Sequence, residues 1–125
     1  MSGWPRALIA IAALMGAAGV IAAAASAHGT PAPLLDKAAL FFLLDATAAI
    51  GICAAGLHAT VRSSWFFLAA SVLLVGSLLF GADLSMRSLT GDRLFPFAAP
   101  IGGTSMIVGW LLAAVAAIGG RFGRH

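Results

Sequence analysis

Asp45 is the residue in this chain with the most chemistry to offer. It is the only formal charge between Ala38 and Val61, in a run of otherwise apolar and small residues. Counted from a helix that starts near Ala38, it lies roughly 12 Å below the membrane boundary, at about 1.5 Å per residue. An ionised carboxylate at that depth is costly unless paired, so it must face other helices or take up a proton. The simpler reading of such a group is a structural hydrogen bond to a neighbouring helix, and the functional one is a proton- or cation-coupled site. Ser26, His28, Asp83, Arg87 and Thr104 are the candidate partners, all toward the same membrane face. Asp83 and Arg87 are four apart with the acid first, the favourable order for an ion pair on one helix face. Asp45, Asp83, Arg87 and His28 thus make up the candidate intramembrane polar site.

Other chemistries are poorly served. Two histidines can ligate one haem iron. However, His28 ends the first apolar run and His58 the second, so antiparallel helices set them roughly 30 Å apart. His28-Gly29 reads instead as a helix stop, with the imidazole near the last carbonyls and glycine in the left-handed conformation. The single cysteine, Cys53, excludes an internal disulfide and any CxxC motif, and in an apolar helix it is a small hydrophobe. Phe41, Phe42, Phe66, Phe67 and Phe80 read as lipid or core contacts, with no aromatic cage among them. No nucleophile–base pair, phosphate loop or metal cluster appears. The expectation is a protein that is not an enzyme and carries no cofactor or metal.

The elements that position these residues follow from composition. Of 125 residues, 62% are hydrophobic and 9% charged, against roughly 25% charged in an average soluble domain. Too few charges remain to coat a soluble surface. The sequence pI of about 10.6 reflects scarce acids, four Asp and no Glu. The seven basic residues are scattered singly, which excludes a nucleic-acid patch. Residues 7–35, 63–82 and 94–120 carry no formal charge, and 38–61 carries only Asp45. Each run exceeds the roughly 20 residues that cross a hydrocarbon core as helix, and lipid forbids an open strand. The expected fold is all-α: one transmembrane domain over 1–125, with spans at about 7–27, 38–59, 65–86 and 98–119. The short connections carry Pro31 and Pro33, Arg62, and Gly91 with Pro96, and they make two antiparallel hairpins.

Orientation rests on a small charge difference. Arg6, Arg62, Arg121 and Arg124 fall on the side of the termini, and Lys37, Arg87 and Arg93 fall opposite, which places both termini in the cytoplasm. Trp4 and Trp65 suit the interfaces, and Trp110, deep in the fourth span, suits packing between helices. The Ala25-Ser26-Ala27 triplet after an apolar run also has the look of a signal-peptide cleavage site. That run is about 20 residues, longer than the 7–15 of a signal core, so the first helix reads as retained.

Small residues supply the packing. Ala12, Gly16, Gly19, Ala23 and Ala27 recur at steps of three and four, as do Gly109, Ala113 and Ala117 at steps of four. Such stripes let helix backbones approach where no hydrophobic effect acts between helices. Gly16, Gly19, Gly102, Gly103 and Gly109 are the expected packing positions. Gly102-Gly103 after Pro100 also fits a broken helix at a transport site, although Pro100 in the first turn of the fourth helix is the simpler reading.

Three segments resemble a known family. They are Gly16-Ala17-Ala18-Gly19 through Ala27-His28-Gly29, Gly76-Ser77-Leu78-Leu79-Phe80-Gly81-Ala82-Asp83-Leu84, and Pro100-Ile101-Gly102-Gly103 through Gly109-Trp110. In this order they resemble the transmembrane protein 256-like family, the YgdD-like proteins grouped as domain of unknown function 423. The chain departs from the family pattern in the second helix, where Phe41-Phe42-Leu43-Leu44-Asp45-Ala46 replaces the usual aromatic and histidine residues. It departs again at Asp83, where small polar residues are common. The resemblance implies a four-helix inner-membrane protein with its first helix retained, and it assigns no activity.

Two function classes follow. The first is a non-catalytic accessory or assembly subunit that docks on a larger membrane complex, or on itself, through its small-residue faces. The alternative is a small proton- or cation-linked transporter or channel, acting as a homo-oligomer with Asp45 as the coupling acid. Both place the chain in a bacterial-type inner membrane in contact with lipid, and neither involves nucleic acid.

Overall fold

The computed structural model describes residues 3–28, 32–119 and 121–122. Four long helices account for nearly all of them: α1 (Gly3–Ala27), α2 (Pro33–His58), α3 (Ser63–Thr90) and α4 (Ala98–Gly119). All four are long and apolar enough to cross a membrane. The chain is an all-α, four-span membrane protein. A minimal antiparallel pairing of β1 (Ala59–Val61) with β2 (Arg121–Phe122) adds the only strands among the described residues.

Helix ends differ from the expected spans for local reasons. α2 begins at Pro33, five residues early, because a proline in the first turn has no N–H to leave unsatisfied. Asp36 follows in that first turn, where an acid suits the positive end of the helix dipole. α3 runs four residues past its expected end, to Thr90, since the Asp83–Arg87 ion pair allows a charged turn to stay helical. It stops at Gly91, whose φ of 82° is the left-handed cap; the Gly91 N–H donates to the Arg87 carbonyl at 2.9 Å. Pro100 lies in the first turn of α4, so that helix is continuous and not broken.

α3 is the central helix. α2 and α4 both pack along it, and α1 packs along α2 with a lighter approach to α3. The core joins Leu8, Ala12 and Met15 of α1 to Phe42, Ala46, Ala49 and Cys53 of α2 and to Phe67, Ala70 and Leu74 of α3. Near the N-terminal end of α1, the Trp4 indole N–H donates to Ser71 Oγ at 2.9 Å, and its ring meets Phe67 edge-on at 5.7 Å.

Glycines set the helix separations. A Cβ on Gly76 of α3 would sit 2.7 Å from the Gly102 carbonyl oxygen and the Met106 nitrogen of α4. One on Gly109 would meet the Leu73 backbone at 2.8 Å. α3 and α4 therefore touch backbone to backbone. Gly19 instead meets the side chains of Leu43 and Phe42, with the Ala39 carbonyl 3.3 Å from where its Cβ would be, and Gly16 lies in ordinary contact with Ala46. Ala12, Gly19 and Gly109 of the expected stripes thus face inward, whereas Ala27 and Ala117 at the helix ends are exposed, and Gly103 is a further exception: nothing lies within 4 Å of where its Cβ would be. One helical position past Gly102 turns it about 100° away from α3, out of the contact.

The strand pairing brings the C-terminal residues beside the turn between α2 and α3. There Arg62 adopts a left-handed φ of 64° and places its guanidinium against Gly119, at the C-terminal end of α4, and 5.9 Å from the Trp65 ring centre. A cation is favourable at a helix C-terminus, where carbonyls lack intrahelical partners. The start of α1, the α2–α3 turn and the end of α4 consequently share one end of the bundle.

Candidate functional site

α2 and α4 both rest on α3 but pack little against each other. The space left between them is a cleft of about 290 Å³, lined by Phe41 and Asp45 of α2, Phe80 of α3, and Gly103, Met106, Ile107 and Trp110 of α4. Helical spacing explains the membership. Phe41 and Asp45 are four apart, as are Gly103 and Ile107, and Met106 and Trp110, so each pair stacks on one helix face. Gly103, bare of side chain, is what keeps the α4 wall open.

Asp45 lies at the mid-point of α2, twelve residues from Pro33 and thirteen from His58. That is roughly 18 Å from either helix end, deeper than the count from Ala38 placed it. Only 2% of its surface is exposed. The Ser77 hydroxyl and the Trp110 indole are the polar side chains that approach its carboxyl. Ser77 is itself fully buried and donates to the Phe41 carbonyl at 3.3 Å. The same hydroxyl also faces the Asp45 carboxyl, so two acceptors share the one hydrogen that it can donate. Asp45 Oδ2 has no hydrogen-bond partner among the described residues. Buried polar atoms are nearly always satisfied, so an orphaned carboxylate oxygen calls for a specific explanation.

Aromatic rings surround this acid. Phe41 and Phe80 meet edge-to-face at 5.1 Å, a favourable geometry for their quadrupoles. Trp110 forms the opposite wall and is half exposed, so it flanks the cleft where the sequence suggested burial between packed helices. Phe41, Phe80 and Trp110 come from three helices to line one cleft, a convergence that linear spacing does not register.

The four-residue polar constellation is also corrected. Asp83 is seven residues from the end of α3, roughly 10 Å, whereas Ser77, thirteen from that end, is the α3 residue level with Asp45. Asp83 has its own partners. Its Oδ2 accepts from Arg87 Nη2 at 2.8 Å and Nε at 3.1 Å, and its Oδ1 accepts the Leu94 backbone N–H at 2.9 Å. Fully buried and fully partnered, it ties the α3–α4 loop to the helix. His28 is exposed just past α1, its N–H donating to the Ala25 carbonyl at 3.3 Å as a helix stop does. Gly29, the expected left-handed residue, lies outside the described residues, as do Arg124 and His125. Ser26 bonds to the Ala23 carbonyl and to Asp36 instead, and Thr104 faces outward. Depth separates these groups: the ends of spans carry Asp83, Arg87 and His28, and the middle carries Asp45.

Among the described residues, no group of three or more His, Cys, Asp or Glu is placed to hold a metal ion. What the arrangement offers chemically is one carboxyl without a counter-charge, in an apolar and aromatic slot at mid-membrane depth. It can hold a proton or a cation. The sequence signals that point to it are the i, i+4 pairing of Phe41 with Asp45 and the lone serine deep in α3. Trp110 gave none.

Comparison with known proteins identifies the family. A family model described as "Protein of unknown function (DUF423)" matches residues 15–103, well over half of the chain. The chain is 39% identical over 56 residues to the UPF0382 inner membrane protein YgdD of Escherichia coli K12 and, to the same extent, to that of Shigella flexneri. Those alignments cover 45% of this chain and 43% of the relatives, so the matched segment spans less than half of their length. No solved structure matches it. With the family model covering the second half of α1, all of α2 and α3 and the start of α4 in order, the chain belongs to the DUF423 family of YgdD-like proteins.

Proposed function

We propose that this chain is a small, non-catalytic carrier of the bacterial inner membrane, linked to protons or cations, with Asp45 as the coupling acid. One observation carries the reading: the Asp45 carboxyl is buried at mid-span, lines an open cleft, and has an oxygen with no partner. A purely structural acid would be expected to spend both oxygens on neighbours, as Asp83 does. The inner-membrane placement draws on the name of the Escherichia coli relative, and the cytoplasmic position of both termini draws on the basic residues near them.

Infrared difference spectroscopy tests the coupling. The protonated-carboxyl band of the wild-type protein is expected to appear and disappear reversibly with pH, and to be missing in Asp45→Asn. A carboxyl that holds one state over the whole range in which the protein stays folded overturns the coupling role.

A second reading, an accessory or assembly subunit, draws on a different feature. Ala10, Ala13, Ala17 and Ala24 lie exposed along the outer face of α1, at spacings that suit close approach of another helix. Purification from native membranes in mild detergent separates the two. Stoichiometric recovery with unrelated membrane subunits supports the accessory role, and recovery as a homo-oligomer supports the carrier.

A further inference from the structure

We infer that the cleft between α2 and α4 is a binding site for a small hydrophobic organic cation, a protonated amine or a quaternary ammonium, that reaches it from the membrane. This rests on the reading of Asp45 as a functional acid and assigns the chemical class of its ligand.

Charge is the first argument. Among the described residues, Asp45 is the only ionisable side chain lining the cleft, and its Oδ2 is unpartnered. The nearest basic side chain on α3, Arg87, is committed to Asp83. A single positive charge is thus the complement this cavity lacks, and within an apolar slot such a pairing is strong.

The walls then decide what kind of cation. Inorganic divalent ions demand six or more oxygen ligands. Among the described residues that line the cleft, the Asp45 carboxyl supplies the only side-chain oxygens, and the other lining groups are rings, a thioether, an aliphatic chain and a bare glycine. Phe41, Phe80 and Trp110 instead supply ring surfaces, which attract alkylated ammonium groups, tryptophan most strongly. A charge wrapped in methyl or methylene groups matches both features at once.

Volume and access set the size and the route. At about 290 Å³ the cleft falls just below the roughly 300–1,000 Å³ of drug-sized sites. It suits one ring or a few short alkyl arms, not a multi-ring dye. Ile107 and Trp110, 62% and 50% exposed, stand at its mouth in the middle of α4, so the opening faces the hydrocarbon region. The ligand must therefore partition into lipid, which a small inorganic ion does not do.

Binding of radiolabelled benzyltrimethylammonium to the purified full-length protein in mild detergent tests the assignment, with neopentylbenzene as its uncharged isostere. Saturable binding of one cation per chain is expected, with no competition from the isostere. Asp45→Asn is expected to weaken it by about tenfold or more, and Trp110→Leu by about three- to thirty-fold. Gly103→Leu, at a position with open space around it, is expected to fill the cleft and abolish binding while the thermal melt is unchanged. That variant keeps the test decisive should Asp45→Asn fail to fold. Binding that the isostere competes equally well, or that survives both Asp45→Asn and Gly103→Leu, overturns the proposal. A carboxyl that titrates in the infrared without any saturable cation binding overturns the ligand class and leaves the proton-linked reading standing. Cation binding that needs Asp45 in a protein whose carboxyl does not titrate sustains the site and overturns proton coupling.

Discussion

The carboxylate of Asp83 accepts the backbone N–H of Leu94 at 2.9 Å, eleven residues further along the chain. Its other oxygen holds Arg87. One buried side chain thereby fixes the last turns of α3, neutralises its own charge and ties down the loop that leads into α4. Asp45, the other buried acid, keeps one oxygen, Oδ2, without a partner, and the coupling role proposed for it rests on that contrast.

Substitutions at the Asp83–Arg87 pair are expected to destabilise unequally. Arg87→Ala strands a fully buried charge, and breaking such a pair from one side costs about 3–5 kcal/mol. Asp83→Asn keeps an acceptor for the Leu94 N–H and is expected to cost less than Asp83→Ala, which also orphans that N–H. Thermal melts in detergent measure the order. A double-mutant cycle between the two positions is expected to give a coupling of about 1–3 kcal/mol.

Adjacent glycines of α4 are expected to respond in opposite ways to alanine. At Gly102 the new methyl would lie 2.7 Å from the Phe80 nitrogen and 2.8 Å from the Gly76 carbonyl oxygen. These are backbone atoms that cannot swing aside, so Gly102→Ala is expected to cost about 1–3 kcal/mol. Gly103→Ala meets nothing within 4 Å and is expected to be neutral or to stabilise by up to about 1 kcal/mol through helix propensity. Equal melting shifts at the two positions would contradict this account of the α3–α4 contact.

Asp45→Leu is expected to leave the melting temperature unchanged or raise it. It replaces an incompletely partnered buried acid by an apolar side chain of similar volume, an exchange that is often neutral or stabilising. Gain of stability with loss of cation binding is the signature of a residue kept for function. A marked fall in melting temperature would instead make Asp45 a structural group.

Labelling of single cysteines tests the orientation. In a Cys53→Ala background, Ser64→Cys and Asp92→Cys place exposed thiols at opposite ends of the bundle. A membrane-impermeant maleimide added to intact cells is expected to label Asp92→Cys and to leave Ser64→Cys untouched until the membrane is opened. The reverse pattern puts the termini outside the cytoplasm.

Four apolar runs, their helical state and their antiparallel order were legible in the residues themselves. Lipid leaves the backbone no other way to satisfy its hydrogen bonds, and chain length sets the span. Local chemistry was legible too: the Asp83–Arg87 pair, Pro100 in a first turn, and inward-facing Gly19, Gly102 and Gly109 all depend on spacing within one helix. What surrounds Asp45 was not. Whether α2 and α4 close on each other or stand apart over α3 depends on how far three helices approach, and that is set by backbone contacts such as Gly76 against Gly102. Only the folded bundle decides that Phe41, Phe80 and Trp110 meet around one carboxyl, and that Asp83, Arg87 and His28 stay away from it. The pattern of a single helix fixes direction and depth along its own axis, whereas a cleft is a property of the distances between helices.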